Sequence, residues 1–183
     1  MIRIRVLADD LTGALDTAAA FSGNVPVYID SPPAACGSDA AYPVSVVATP
    51  TRDVAIEALP GFLEPVVEWF TSGSLSYKKV DSLLRGNPFE EIAWLFRRAR
   101  FDRVVFAPAF PAQGRITADD RQWIARPGRD REAVAVPLQG EFARLGLRSS
   151  IAPEEPAEIW IPEVASDDDL DRVVLQAEAA HGS

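Results

Sequence analysis

Hydrophobic positions along this chain gather into short apolar or β-branched runs, separated by stretches in which apolar residues recur every three or four positions. Runs at residues 2–8, 25–29, 44–48, 75–79 and 103–107, with a weaker one at 158–161, read as strands. Between the first two, "TGALDTAAAFSGN" reads as a helix with Leu15, Ala18 and Ala19 on one face, closed by Gly23. The segment "DVAIEALPGFLEPVVEWFTSG" reads as a helix kinked at Pro60 or Pro65, because proline lacks the amide hydrogen the helical ladder needs, and Gly73 ends it. In "RGNPFEEIAWLFRRAR" Asn87 can cap, Pro88 suits the first helical position and Glu90 stands where a capping-box partner belongs. Phe89, Ile92, Ala93, Phe96 and Ala99 form the buried stripe of that helix, leaving Arg97, Arg98 and Arg100 to solvent.

Strands alternating with helices predict an α/β fold: a three-layer, Rossmann-like, mostly parallel sheet with helices on both faces. The pattern weakens from Ile116 to Ile151, where "ADDRQWIARPGRDREAV" suggests a surface excursion followed by a helix near residues 140–147. "SDDDLDRVVLQAEAA" reads as a final helix capped by Ser166 or an early aspartate, with its acidic residues at the favourable end.

With 183 residues and 48% hydrophobic content, the expectation is one α/β domain over residues 1–183. A formal charge of -9 argues against a nucleic-acid surface, which needs a basic stripe. The lone Cys36, read as a small loop or core residue, excludes an internal disulfide, and with His181 as the single histidine a zinc site has no ligand set. No window has the apolar length of a signal core or a membrane span, so the expected location is cytoplasmic, away from any membrane.

Ligands of open parallel sheets bind beyond the carboxyl ends of the strands. Four polar clusters fall on that edge. Asp9, Asp10, Thr12 and Gly13 follow the first strand, and Thr51 and Arg52 the third; Asp81, Ser82, Arg85, Gly86 and Asn87 follow "LSYKKV", and Phe110, Gln113, Gly114 and Arg115 close "VVFAPAFPAQGR". Each has a structural explanation when taken singly: Asp10 or Thr12 can cap a helix, and Asp81 or Ser82 can organise a turn. Four such clusters on one edge favour a binding crevice. Arg52, Lys78 or Lys79, Arg85 and Arg115 suit a carboxylate or phosphate, alternation allowing only one of the two lysines to face the crevice. Carboxylates and hydroxyls suit sugar hydroxyls, so a small polyhydroxy acid fits both halves.

The nucleotide signatures G-x-x-x-x-G-K-[ST] and G-x-G-x-x-G are absent from the sequence. An Asp-x-Asp nucleophile motif fails because Leu11 stands two residues after Asp9, and a Ser-His-Asp triad is poorly served by His181 alone.

"ADDLTGALDTAAAF", "YKKVDSLLRGN" and "APAFPAQGR", in that order, resemble the amino-terminal, sugar-acid-binding domain of the four-carbon acid sugar kinases. The resemblance covers about residues 4–115 and resumes at "IPEVASDDDL". It implies ATP-dependent phosphorylation of acids such as threonate or erythronate across a cleft between this domain and a nucleotide domain. It further implies a pocket with Asp9, Asp10, Thr12 and Gly13 on one wall and Asp81, Ser82, Arg85, Gly86 and Asn87 on the other. Arg52, Lys79 and Arg115 would hold the anion, and Asp10 or Asp81 would be the carboxylate that orients or deprotonates the attacking hydroxyl. One aspartate of the doublet is expected to face the ligand and the other backbone donors. The polar, basic "ADDRQWIARPGRDRE" departs from the glycine-rich hydrophobic segment usual there, and the chain has no counterpart of the nucleotide domain. The expectation is that ATP and magnesium enter only when such a domain completes the site, that no metal is held by this chain alone, and that the isolated chain is inactive. A separate nucleotide-binding domain and a second copy of the chain are the expected partners. The alternatives are a non-catalytic sugar-acid-binding regulator and an interaction module.

Overall fold

The computed structural model describes residues 2–32, 42–134 and 137–181. Cys36 lies outside them. The backbone forms two compact units, Met1–Asp81 with Arg85–Arg100, and Ser82–Leu84 with Phe101–Ser183.

The first unit is built on β1 (Ile4–Ala8), α1 (Leu11–Ala19), β2 (Val27–Ile29), β3 (Val44–Ala48), α2 (Leu59–Leu63), α3 (Val67–Thr71), β4 (Leu75–Lys79) and α4 (Pro88–Ala99). Its four strands are parallel, in the order β2-β3-β1-β4, and Ala8 lies level with both Ala48 and Lys79. The carboxyl ends of three strands therefore open at one height. β1 reads as an unbroken apolar run because it is covered on both faces: Val6, Leu7 and Ala8 are fully buried. Val6, Ala8, Val46 and Ala48 pack on Ala14 and Ala18 of α1, while α3 packs against β1 and β4. This is the expected Rossmann-like α/β layering.

Two local expectations change. Gly13 and Ala14, the small residues, are the buried positions of α1, and Leu15 turns to solvent with half its surface exposed. The helix ends at Ala19, ahead of Gly23, which takes its left-handed conformation (φ 91°) in the following turn. The proline-rich stretch breaks at Pro65, inside a 3-10 turn over Glu64–Val66 that separates α2 from α3. Pro60 sits harmlessly in the first turn of α2. In α4 the buried face carries Phe89, Ile92, Ala93 and Leu95, and Arg98 pairs with Glu64.

The second unit contains β5 (Val104–Val105), β6 (Arg115–Ala118), β7 (Arg121–Ile124), β8 (Glu132–Ala133), α5 (Leu138–Arg144), β9 (Ser149–Ser150), β10 (Ile159–Trp160) and α6 (Asp167–His181). β5, β10 and β9 form a parallel sheet in that order, and β6, β7 and β8 an antiparallel one. The stretch read as a surface excursion begins as a packed hairpin, with Gln122 buried, and runs exposed over residues 126–133. Its strands escape a hydrophobic reading because two inward residues are polar. Thr117 donates to Gln122 Oε1 at 2.7 Å, and Gln122 Nε2 donates to the carbonyls of Ser82 (3.0 Å) and Pro108 (3.1 Å). Asp119 and Asp120 both take positive φ in the hairpin turn, a role more often filled by Asn-Gly. At the end of the chain Ser166 and Asp169 cap α6 reciprocally, the Asp169 amide donating to Ser166 Oγ and the Ser166 amide to Asp169 Oδ2.

Gln122→Leu keeps the volume but strands two carbonyls and a hydroxyl. It is expected to cost about 3 kcal/mol or more in chemical denaturation, since each of the three groups left unpaired costs roughly 1–3 kcal/mol.

Candidate functional site

From β1 the chain runs through α1 to β2 on one side of the sheet, and from β3 through α2 and α3 to β4 on the other. Because β1 and β3 are neighbours, their outgoing loops part company at a topological switch point, where open α/β sheets take ligands. The loops there carry Asp9 and Asp10 on one side and Thr49 to Arg52 on the other.

Asp10, in extended backbone (φ -151°), caps α1 by accepting the Gly13 amide at 2.8 Å. Asp9 is buried and caps nothing. Arg52 accounts for it: Nε and Nη2 donate to the two Asp9 oxygens at 3.0 and 2.8 Å. The same guanidinium reaches Asp10 through Nη1 (2.7 Å) and Nη2 (2.9 Å). Both members of the doublet thus turn toward Arg52, and Asp10 also meets a backbone donor. Burial pulls the Arg52 guanidinium down, but the Asp9 hydrogen bonds and the charges of Asp9, Asp10 and Asp81 outweigh it and hold the group above its usual range.

The turn bearing Arg52 is gripped from the next loop. Asn87, expected to cap α4 through its side chain, instead donates Nδ2 to the carbonyls of Thr51 (3.0 Å) and Val54 (2.9 Å). Gly86 takes φ 82°, and a β-carbon there would lie 2.8 Å from the Arg52 carbonyl oxygen and 2.9 Å from its Cα. Only glycine allows that approach. Gly13 is equally confined, since a β-carbon would stand 2.7 Å from Asp10 Oδ1 and 3.8 Å from the Lys79 ammonium.

Lys79, whose ammonium shares the Gly13 surroundings with Asp10 and donates to the Val80 carbonyl at 2.8 Å, is the lysine beside the doublet, whereas Lys78 pairs with Glu91. Arg85 clamps Asp81 with Nε (2.8 Å) and Nη2 (2.7 Å), and its amide adds a bond at 3.3 Å. Burial pushes the Asp81 carboxyl up; the Arg85 bonds and charge, helped by the charge of Arg52, more than reverse this and hold it at about 2. Arg85 is raised by its bond to Asp81 first, with Asp10 and Asp9 adding to it, and it remains 64% exposed. Thr12 is exposed in the first turn of α1.

Ten of the expected residues lie in the first unit: Asp9, Asp10, Thr12, Gly13, Arg52, Lys79, Asp81, Arg85, Gly86 and Asn87. Ser82 and Arg115 belong to the second, where the Ser82 carbonyl serves Gln122 and Arg115 Nη1 donates to the Gln113 carbonyl at 2.8 Å. Sequence reading placed Thr51 on the edge without a role and passed over Glu91. The legible signal was Glu91 itself, a carboxylate between Phe89 and Ile92 on the apolar stripe of α4. Among the described residues no three acidic, histidine or cysteine side chains are placed to hold a metal ion. Asp9 and Asp10, the nearest thing to such a set, are committed to Arg52.

A parallel α/β sheet with a braced cluster of carboxylates and cations at its switch point defines a domain for a small polar ligand. Residues 4–145 match the family described as the sugar-binding N-terminal domain, and the chain belongs to it, the amino-terminal domain of the four-carbon acid sugar kinases. Over 159 residues it is 32% identical to a D-threonate kinase of Cupriavidus necator, covering 81% of this chain and 38% of that enzyme. A domain of unknown function from Bordetella bronchiseptica, solved with bound citrate as a domain-swapped dimer, is similar at 26% identity and a TM-score of 0.70, covering 95% of this chain and 50% of that one. A Haemophilus influenzae protein, 16% identical, shares the fold with a TM-score of 0.74 over 94% of this chain and 50% of its own. The chain therefore spans about half the length, or less, of the proteins it matches. Among the described residues no helix is long and apolar enough to cross a membrane.

Gly86→Ala is expected to destabilise the chain by roughly 1–3 kcal/mol, as strained backbone positions do. Gly61→Ala, inside α2 with open space around it, should stabilise by about 0.5–1 kcal/mol, so paired denaturation curves check the difference. The folded-state pKa of Asp81 lies below the ordinary value near 4, so its contribution is complete above pH ~4 and lost as pH falls through about 2. The stability gap between wild type and Asp81→Asn should close over that window, and a gap unchanged at pH 2 would contradict the assignment.

Proposed function

We propose that the carboxyl edge of the first unit binds a four-carbon sugar acid of the threonate or erythronate class, as the acceptor half of an ATP-dependent kinase. The observation that carries this is the division of cations around the doublet. Arg52 is occupied by Asp9 and Asp10, whereas Lys79 and Arg85 each keep unpaired donors toward solvent beside them. Those two supply the positive charge for an acid carboxylate, and the aspartates accept from its hydroxyls. In this reading Arg52 braces the pocket rather than holding the anion. The threonate kinase relative, and the citrate held by the Bordetella protein, support a hydroxylated carboxylic acid as ligand.

Asp10 is the better candidate for orienting the attacking hydroxyl. Its side chain is 23% exposed, against 1% for Asp9, while Asp81 is clamped by Arg85 and held at about 2. ATP and magnesium belong to a nucleotide domain outside these residues; when bound there they supply the phosphoryl group and stabilise its charge. Thr12, exposed in the first turn of α1, adds a substrate contact in this proposal. A homodimer is part of it too, supported by the dimeric Bordetella neighbour and checked by light scattering.

Calorimetry of the 183-residue chain with threonate and erythronate tests the reading. Lys79→Ala and Arg85→Ala are each expected to weaken binding about 10- to 100-fold, the size of one charge-assisted bond. Absence of heat and of thermal shift across these acids would overturn it. Adding ATP and magnesium to the chain alone should produce no phosphorylated acid, and turnover would overturn the assignment of nucleotide chemistry to another domain.

A further inference from the structure

Behind the candidate site, the first unit buries an ion pair that the sugar-acid reading does not use. Lys78 Nζ lies 2.9 Å from Glu91 Oε2, their side chains 9% and 1% exposed. The same oxygen accepts the Thr51 hydroxyl at 2.8 Å, Thr51 Oγ1 is 3.0 Å from Thr49 Oγ1, and Thr49 Oγ1 donates to the Ala8 carbonyl at 2.9 Å. One line of polar contacts thus joins α4 and β4 to the residues on either side of the switch point. Ala8 immediately precedes the aspartate doublet, and Thr51 immediately precedes Arg52.

Burying two charges is costly unless their geometry is good and their remaining bonding capacity is met, and apolar residues of similar volume often serve stability as well or better. Here the charges do more than meet each other. Glu91 Oε1 is buried without a hydrogen-bond partner, so the carboxylate is aimed to serve Lys78 and Thr51 through one oxygen instead of sharing both. Thr51 is fully buried and is held twice: by side chain from Glu91, and by main chain from Asn87, four residues earlier on the same segment. The Arg52 guanidinium must meet four carboxylate oxygens within hydrogen-bond distance, and a turn free to rotate would not present it so.

We infer that Glu91 is a positioning residue of the sugar-acid site: oriented by Lys78, it fixes Thr51 and through it the Arg52 fork that sets Asp9 and Asp10. The inference rests on the binding function proposed above only for its ligand readout. What matters in it is the acceptor at position 91 rather than the charge. Lys78→Met with Glu91→Gln removes both charges and keeps an oxygen for Thr51. Lys78→Met with Glu91→Leu removes the acceptor as well.

Two measurements on the full chain compare these doubles. In the ligand-free protein, the Arg52 Nε–H signal should be as protected from solvent exchange in the Gln double as in wild type, and at least tenfold less protected in the Leu double. With threonate or erythronate, binding should be at least tenfold weaker in the Leu double and rescued in the Gln double. Equal Arg52 protection in two folded doubles overturns the inference. If wild type binds no sugar acid, the functional reading fails while the Arg52 signal still decides this one. If the Leu double does not fold, Thr51→Val against Thr51→Ser decides: loss of Arg52 protection in the valine variant alone supports the inference, and protection retained there overturns it.

Discussion

Two carboxylates on consecutive residues, one of them fully withdrawn from water, can coexist only if a cation stands between them and replaces the hydration they give up. Arg52 does this for Asp9 and Asp10 with four side-chain bonds, and its own main-chain amide adds a fifth tie by donating to the Asp9 carbonyl at 3.1 Å. Since the doublet follows β1 and Arg52 follows β3, this one contact staples the two loops that diverge at the switch point. The surrounding sequence is shaped by it: Gly86 is needed so that backbone can pass against Arg52, Asn87 to hold the turn before it, and Gly13 to leave room for the Asp10 carboxylate.

That staple also redistributes the chemistry of the edge. An arginine committed to two aspartates has little left for an incoming anion, so the proposed site assigns recognition to Lys79 and Arg85 instead. Three carboxylates and three cations in the cluster balance in charge, which leaves the edge polar without a strong net field. A ligand carrying both a carboxylate and several hydroxyls suits such a surface better than a bare anion, because each half of the ligand finds a complementary group.

Much of the fold around this edge was legible in the sequence. The unbroken apolar run of β1, the polar residues just past it and the Asn-Pro start of α4 each follow from local rules, and they located the edge correctly. The identity of the lysine facing the doublet was half-legible, since alternation required one of the pair to point away without saying which. The role of Asn87 was not legible. Its place before Pro88 matched a helix cap, yet its amide nitrogen found carbonyls from residues more than thirty positions earlier. The antiparallel hairpin was missed for a related reason: Thr117 and Gln122 look like surface residues until their mutual bond and the carbonyls of Ser82 and Pro108 are seen.

The sequence by itself determined what neighbours along the chain can decide: the α/β class, the strand cores, where α4 begins, and a cap that explains Asp10. These depend on hydrophobic period and on backbone preferences within a few residues. Only the tertiary structure decided why Asp9 stands beside it. Strand order places β3 against β1 and so brings Arg52, forty-three positions away in the chain, onto both carboxylates. No local rule encodes that pairing, because the balance between the cost of burying a charge and the gain from neutralising it is settled by which groups the fold brings together.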